Sequence, residues 1–181
     1  MLKRCKWCNL NNEKYVFYHD NEWCKFRYDD QYLFEMLILE SFQSGLSFEC
    51  ILNKRENFKI AYDNFDIDKI INYDDNKINE LLSNKNIIRN KLKIYASINN
   101  AKVFKQILNE YNNFYDYLKE FTNGDIFYET GLIKSNLSDM ISKDLIKRGM
   151  KFVGSITIYS YLQAIGIIYS HDKECYLYKE K

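Results

Sequence analysis

The 181-residue chain contains no proline, so nothing breaks a helical pattern from within. It has no run of 18 apolar residues and no apolar signal-peptide segment near its N-terminus. Those absences point to a soluble, cytoplasmic protein without membrane association. There is no HExxH motif, which argues against a catalytic zinc. Neither strand-length alternation nor an internal repeat is present, so an all-α fold is expected. Histidine occurs only twice, and the five cysteines (Cys5, Cys8, Cys24, Cys50 and Cys175) are an odd number. In a cytoplasmic chain that argues for metal ligands or buried thiols rather than a disulfide framework.

What is present suits one compact domain or two small lobes, with 46% hydrophobic and 17% aromatic residues. The net charge of +1 says little as a total. Its distribution says more. Residues 85–105 carry Lys85, Arg89, Lys91, Lys93, Lys102 and Lys105 and no acid, whereas 63–80 carry six acids against Lys69 and Lys77. A basic element beside an acidic one permits a phosphate-facing surface on a neutral protein.

The stretch from Leu33 to Phe48 organises the rest. Leu33, Met36, Leu37 and Glu40 share one helical stripe, and Glu40 stands where another leucine is expected. A carboxylate buried there needs a donor or a raised pKa. The helix should break at Ser44-Gly45, leaving Leu46 exposed, with Ser47 capping a second helix. A glycine turn beside a semi-buried acid reads as a pocket with a rim, or as an ordinary helical hairpin.

Taken in order, residues 1–30 read as irregular, with aromatic clusters around Trp7 and over Tyr15–Trp23. Helices are expected at about 30–43, 47–63, 75–83, 88–110 and 113–121, with a short one capped by Asp66. Residues 84–90 read as a tight connection and 122–137 as a surface excursion. Ser138 is expected to cap a helix ending at Arg148 with Gly149 beyond it, and a last apolar helix runs from Gly154 to about Ile165. His19 lies 14 residues after Cys5, and His171 four before Cys175. Two cysteines and two histidines suffice for a closed tetrahedral zinc site joining the chain's ends, although Cys8 and Cys24 compete on spacing alone.

Several blocks together resemble the type I 3-methyladenine DNA glycosylases, essentially from end to end. They are Arg4-Cys5-x-Trp7, Tyr18-His19-Asp20-Asn21-Glu22-Trp23, Leu33-Phe34-Glu35-Met36, Leu39-Glu40, Gln43-x-Gly45-Leu46-Ser47, Lys54-Arg55-Glu56-Asn57, Ile87-Ile88-Arg89-Asn90, Lys147-Arg148-Gly149-x-Lys151-Phe152-Val153-Gly154 and His171-x-x-x-Cys175. The resemblance implies a single all-helical, helix-hairpin-helix domain over residues 1–181, whose central part, about 64–125, carries the hairpin. It implies excision of 3-methyladenine from alkylated double-stranded DNA by a monomer, after base flipping. It assigns a structural Zn2+ to Cys5, His19, His171 and Cys175, and base reading and catalysis to Glu40. Trp7, Tyr18, Trp23 and Phe48 become pocket aromatics. Gly45 and Leu46 become the wedge that fills the gap left by the flipped nucleotide, and Arg89 lies on the DNA-holding hairpin.

Three departures from the family pattern bear on activity. Phe48 stands where tryptophan is usual, Ser41-Phe42 replaces glycine and a polar residue, and Asn86 replaces the hairpin glycine. They imply a tighter pocket and a left-handed Asn86. The alternatives are a damaged-DNA-binding member with weak or altered activity, because Phe48 and Phe42 deform the pocket, and a zinc-stapled helical interaction module without a DNA role.

Overall fold

In a computed structural model of the chain, which describes residues 2–180, the protein is mostly helical. The elements are α1 (Glu13–Asn21), α2 (Asp30–Gln43), α3 (Phe48–Asn53), α4 (Arg55–Ala61), a 3-10 turn (Asp63–Phe65), α5 (Ile67–Ile70), α6 (Asp75–Ser83), α7 (Lys91–Glu110), α8 (Phe114–Thr122), β1 (Phe127–Tyr128), α9 (Asn136–Lys147), α10 (Ser155–Ala164) and β2 (Ile168–Tyr169). Most helix starts follow short polar side chains; α4, after Lys54, and α10, after Gly154, do not. Asn12, Asp29, Ser47, Asp66, Asp74, Asn90 and Asn113 each accept a hydrogen bond from a backbone N–H in the first turn.

The centre of the molecule is α2. Every residue from Tyr32 to Phe42 is buried, and the helix packs against α3, α7, α8 and α10. A single core-facing stripe was the sequence expectation. Instead the helix is enclosed on all sides, which its mostly apolar composition permits. Glu35 and Glu40 are therefore both inside. Glu35 accepts from Arg55 Nε at 2.7 Å, and Glu22 accepts from Arg55 Nη1 at the same distance. This buried acid–arginine–acid bridge ties α1, α2 and α4 together. The expected single helix over 47–63 is divided at Lys54, the residue before that arginine.

Other expectations are corrected. Residues 1–30 are not uniformly irregular, because Glu13–Asn21 is helical. Its buried stripe is Tyr15, Tyr18 and His19, at i, i+3 and i+4, so the periodicity is carried by aromatic and histidine side chains rather than aliphatic ones. Ser138 is not the cap of α9. Ser135 is, and the Ser138 hydroxyl, three residues in, accepts from the Ser135 N–H at 2.9 Å. Gly149 does adopt a left-handed conformation past α9, with φ +103°. The 122–137 excursion is anchored by β1, which pairs in parallel with β2, Phe127 opposite Ile168. Two-residue strands are too short for alternation to reveal. Asn86 is not among the described residues with positive φ. The Asn84 side chain accepts from Asn86 N–H at 2.9 Å and closes the turn without left-handed backbone.

Candidate base pocket and metal centre

The cavity below α2 is built from four helices and the two segments that flank α1. Tyr15 and Tyr18 come from α1, Glu40 and Gln43 from α2, Phe48 from the start of α3, and Ser160 and Gln163 from α10. Trp7 and Trp23 complete a lining around about 140 Å³. The walls are aromatic. Trp7 meets Trp23 edge to face at 4.7 Å between ring centroids, and Tyr18 packs on Phe48 at 5.0 Å. Such a slot suits a planar ligand gripped on its faces.

Glu40 supplies the polarity. Its residue is only 4% exposed, and Oε2 has no hydrogen-bond partner among the described residues. Burial pushes its carboxyl up to about 8. At neutral pH the empty pocket therefore holds mostly a neutral acid, and a cation entering beside it would favour the carboxylate. Burial, and secondarily Glu40, push the Tyr18 hydroxyl well above its usual range.

Trp7, Tyr18, Trp23, Glu40 and Phe48 are thus brought together as expected. Tyr15, Gln43, Ser160 and Gln163 were not singled out from the sequence as lining residues. Ser160 and Gln163 had a usable signal, being polar residues three apart, on one face, in the otherwise apolar second half of the helix. Ser41 and Phe42 do not line the cavity. Ser41 Oγ donates to the Leu37 carbonyl at 2.8 Å, and Phe42 packs in the core at 4.9 Å from Phe58. The tighter pocket expected from them is not found, because both point away along α2. Gly45 and Leu46 lie just beyond Gln43 on the rim. Gly45 has φ +82°, and Leu46 is 42% exposed.

A larger groove of about 550 Å³ lies between α1 and α4, lined in part by Glu22, Phe17 and Arg55. Arg55, its central cation, is already paired with Glu22 and Glu35. The smaller cavity, by contrast, holds an acid with no hydrogen-bond partner on Oε2 among the described residues.

Behind the aromatic wall, Cys5, His19, His171 and Cys175 converge, with one donor atom from each lying within 4.8 Å of the others. Sulfur–nitrogen separations are 3.4 Å for Cys5–His171 and 3.5 Å for both Cys175–His19 and Cys175–His171. A tetrahedral ion with bonds of about 2.3 Å to sulfur and about 2.0 Å to nitrogen sets edges of roughly 3.5 Å, so the set fits a metal ion. Burial, then the neighbouring His19, hold His171 down to about 4, so its imidazole is neutral at pH 7, as a ligand must be. His19 Nδ1 lies 2.8 Å from Asp20, whose carboxylate is gripped by Arg4 Nε and Nη2 at 2.8 and 2.7 Å. That arrangement orients the His19 ring. Cys8 and Cys24 are excluded from the set: Cys8 Sγ is 3.9 Å from the Tyr15 carbonyl, and Cys24 Sγ accepts from Ser170 N–H at 3.3 Å. The cluster and the pocket share a wall, since Trp23 meets His171 at 4.7 Å and Trp7 meets His19 at 5.3 Å.

The basic stretch is less uniform than its sequence suggests. Lys105 pairs with Asp68 at 2.7 Å, and Lys93 is buried. Lys85, Arg89, Lys91 and Lys102 are exposed and have no ion-pair partner among the described residues. Arg89 stands on the connection between α6 and α7 and does not line the cavity.

The sequence model of the methyladenine glycosylase family matches residues 7–178. The chain is 36% identical over 183 aligned positions to DNA-3-methyladenine glycosylase 1 of Escherichia coli, covering 98% of this chain and 97% of that protein. It is 34% identical to the DNA-3-methyladenine glycosylase of Haemophilus influenzae, with 97% of each chain covered. Among solved structures it is similar to a crystal structure of 3-methyladenine DNA glycosylase I, with a TM-score of 0.91, 34% identity, and 98% and 100% of the two chains covered. It is also similar to the Staphylococcus aureus 3-methyladenine DNA glycosylase I studied for 3-methyladenine recognition, with a TM-score of 0.89, 30% identity, and 96% and 97% covered.

Proposed function

The chain belongs to the methyladenine glycosylase family, and from that premise we propose that it excises 3-methyladenine from alkylated double-stranded DNA. It is a hydrolase of N-glycosyl bonds acting in base-excision repair. The observation that carries the substrate reading is Glu40, an acid without a hydrogen-bond partner on Oε2, inside an aromatic slot.

A base in a duplex must be extruded before it can reach such a cavity, at a cost of a few kcal/mol. Leu46, exposed on the turn that Gly45 permits, enters the stack and offsets that cost. The extruded base stacks on Trp7, Tyr18, Trp23 and Phe48, each stacked face being worth about 1–3 kcal/mol. An N3-methylated adenine is cationic while joined to the sugar, so its glycosidic bond is already weakened and no proton need be supplied to the leaving base. Glu40 releases its proton to solvent as the cation enters, and the resulting carboxylate accepts from the exocyclic amino group. Normal adenine is neutral and cannot repay that ionisation, so the discrimination is electrostatic. Asp20 has a structural role, because its carboxylate is occupied by Arg4 and His19.

Zn2+ is the metal that best suits two thiolates and two neutral imidazoles. Bound by Cys5, His19, His171 and Cys175, it would serve a structural role, stapling the N-terminal segment to the C-terminal one and backing the Trp7–Trp23 wall. The protein acts as a single domain over 1–181, with a helix-hairpin-helix formed by α6, the 84–90 connection and α7 within the 64–125 part. It works as a monomer, in the cytoplasm where the DNA lies. No described helix is long and apolar enough to cross a membrane. The alternative of a damage-binding member with weak or altered activity loses half its support, since Phe42 is a core residue, and Phe48 still provides a ring against Tyr18.

The test is chromatography of bases released from methylated duplex DNA. Free 3-methyladenine is the expected product, and absence of release from a folded, metal-loaded protein would overturn the reading. The hairpin assignment makes a separate prediction. Arg89→Ala should weaken duplex binding and flatten the dependence of log K on log salt by about one phosphate contact, a slope change of roughly 0.9, with folding unchanged. An unaltered slope would take Arg89 off the DNA.

A further inference from the structure

The least expected cation in the molecule is Lys93. It lies in the first turn of α7, just past the 84–90 connection, and reads from sequence as one more phosphate contact. It is only 7% exposed. Its ammonium donates to the carbonyl of Phe42 at 2.8 Å and to that of Ser44 at 2.5 Å. These carbonyls belong to the end of α2 and the first residue of the turn that carries Gly45 and Leu46. The last turn of α2 has no basic residue of its own, so a distant helix supplies the cation that its orphan carbonyls attract. Lys93 Nζ also lies 5.9 Å from the ring centroid of Phe152, in the segment that Asn100 holds by paired 2.8 Å hydrogen bonds to the Lys151 backbone.

The turn does not need this lysine to close. Gly45 takes the left-handed conformation, and Leu46 N–H donates to the Gln43 carbonyl without it. What Lys93 adds is a connection between two segments about 50 residues apart in sequence. Taking the ammonium out of water is costly, so local capping alone does not account for it.

We propose that Lys93 is a positioning residue that locks the Ser44–Leu46 turn to the first turn of α7. The segment that grips the DNA backbone and the residue that enters the base stack then move as one body. This rests on the glycosylase reading above. Lys93 touches neither base nor phosphate. It acts through Leu46, by holding the wedge at the height where the hairpin presents the duplex.

The experiment compares the wild-type protein with Lys93→Met, Leu46→Ala and the double variant. Excision from methylated duplex should fall on the order of 10-fold to 100-fold in Lys93→Met, the scale of loss from a small misplacement. Binding of free 3-methyladenine, read by tryptophan fluorescence, should stay within about twofold of wild type, since the pocket lining is untouched. Excision from methylated single strands, where no stacked partner is displaced, should fall far less. The salt slope of duplex binding should not change, because no phosphate contact is lost. The losses from Lys93→Met and Leu46→Ala should not add. Additive losses, or equal losses on duplex and single strands, would overturn the proposal. If Lys93→Met does not fold, Lys93→Gln, which keeps an N–H donor, carries the same comparison. A wild-type protein that releases no base from any substrate would overturn the glycosylase reading, and this inference with it.

Discussion

Replacing Glu40 with glutamine is expected to lower 3-methyladenine release by about 10²–10³-fold, the scale seen when one preorganised electrostatic partner is removed, and at the same time to make the protein more stable. Both effects have one cause. Glu40 is buried, and its carboxyl is pushed from about 4.5 to about 8. Between those values the unfolded chain carries a carboxylate and the folded chain a neutral acid, so folding takes up a proton. Stability therefore falls as pH rises through this window, and the cost of the buried charge is fully present above about 8. At pH 7 that cost is on the order of 3 kcal/mol, at about 1.4 kcal/mol per pH unit.

Glutamine has the same shape and no charge to bury. The Glu40→Gln variant should melt roughly 10–20 °C higher than wild type at pH 8, at about 2–4 °C per kcal/mol for a chain of this size. The difference should vanish near pH 4.5, where the glutamic acid is half neutral in the unfolded chain too. Calorimetry at pH 5 and 8 beside base release checks both halves. Equal melting at both pH values would mean that Glu40 is not held as a strained acid. Unchanged turnover would remove it from the mechanism. A gain in stability coupled to a loss of activity is what a functional residue kept at an energetic cost should give.

The second large effect concerns the four-ligand cluster. Cys175→Ser, or exhaustive chelation of the wild-type protein, should remove the bound metal and lower Tm by about 10 °C or more, because a structural metal contributes folding energy directly. The consequence should extend to the pocket. His171 and His19 lie directly behind Trp23 and Trp7, and Cys5 is two residues from Trp7. Loss of the metal should loosen that wall, so affinity for free 3-methyladenine should fall along with Tm, although no ligand of the metal touches the base. Elemental analysis, melting with and without chelator, and tryptophan fluorescence titration make the comparison. A protein that purifies free of metal and melts unchanged would sink the structural-metal reading. One that loses its metal and Tm but keeps full base affinity would separate the staple from the pocket.

Much of this was legible before any coordinates, for reasons that differ by residue. Helix boundaries were readable where Ser47 and Asp66 announce them, because a cap is a local hydrogen bond between neighbours in sequence. The ligand set was readable only as a family pattern. Spacing alone left Cys8 and Cys24 in play, and only the folded chain sends them to the Tyr15 carbonyl and the Ser170 amide. The α1 helix was missed because its buried stripe is made of residues that also look like site residues. Phe42 was read as a pocket residue because it stands where the family pattern has a polar one, but two residues along a helix turn its side chain about 200° away from Glu40. It lies instead against Phe58 and Tyr62.

Sequence by itself determined most of the helical order beyond residue 30, the family, and the aromatic, acidic, cysteine and histidine side chains that the fold brings together. These rest on local periodicity, capping and motif blocks, each held within a few consecutive residues. Tertiary structure alone decided that Glu40 is left without a partner on Oε2 among the described residues, that Ser160 and Gln163 close the cavity, and that Lys93 faces inward to two carbonyls rather than outward to phosphate. A side chain's charge state and partner depend on what surrounds it, and those neighbours come from segments far apart in the chain. The same lysine on the same helix is a DNA contact if exposed and a structural clamp if buried, and only the packing of α7 against the end of α2 selects between them.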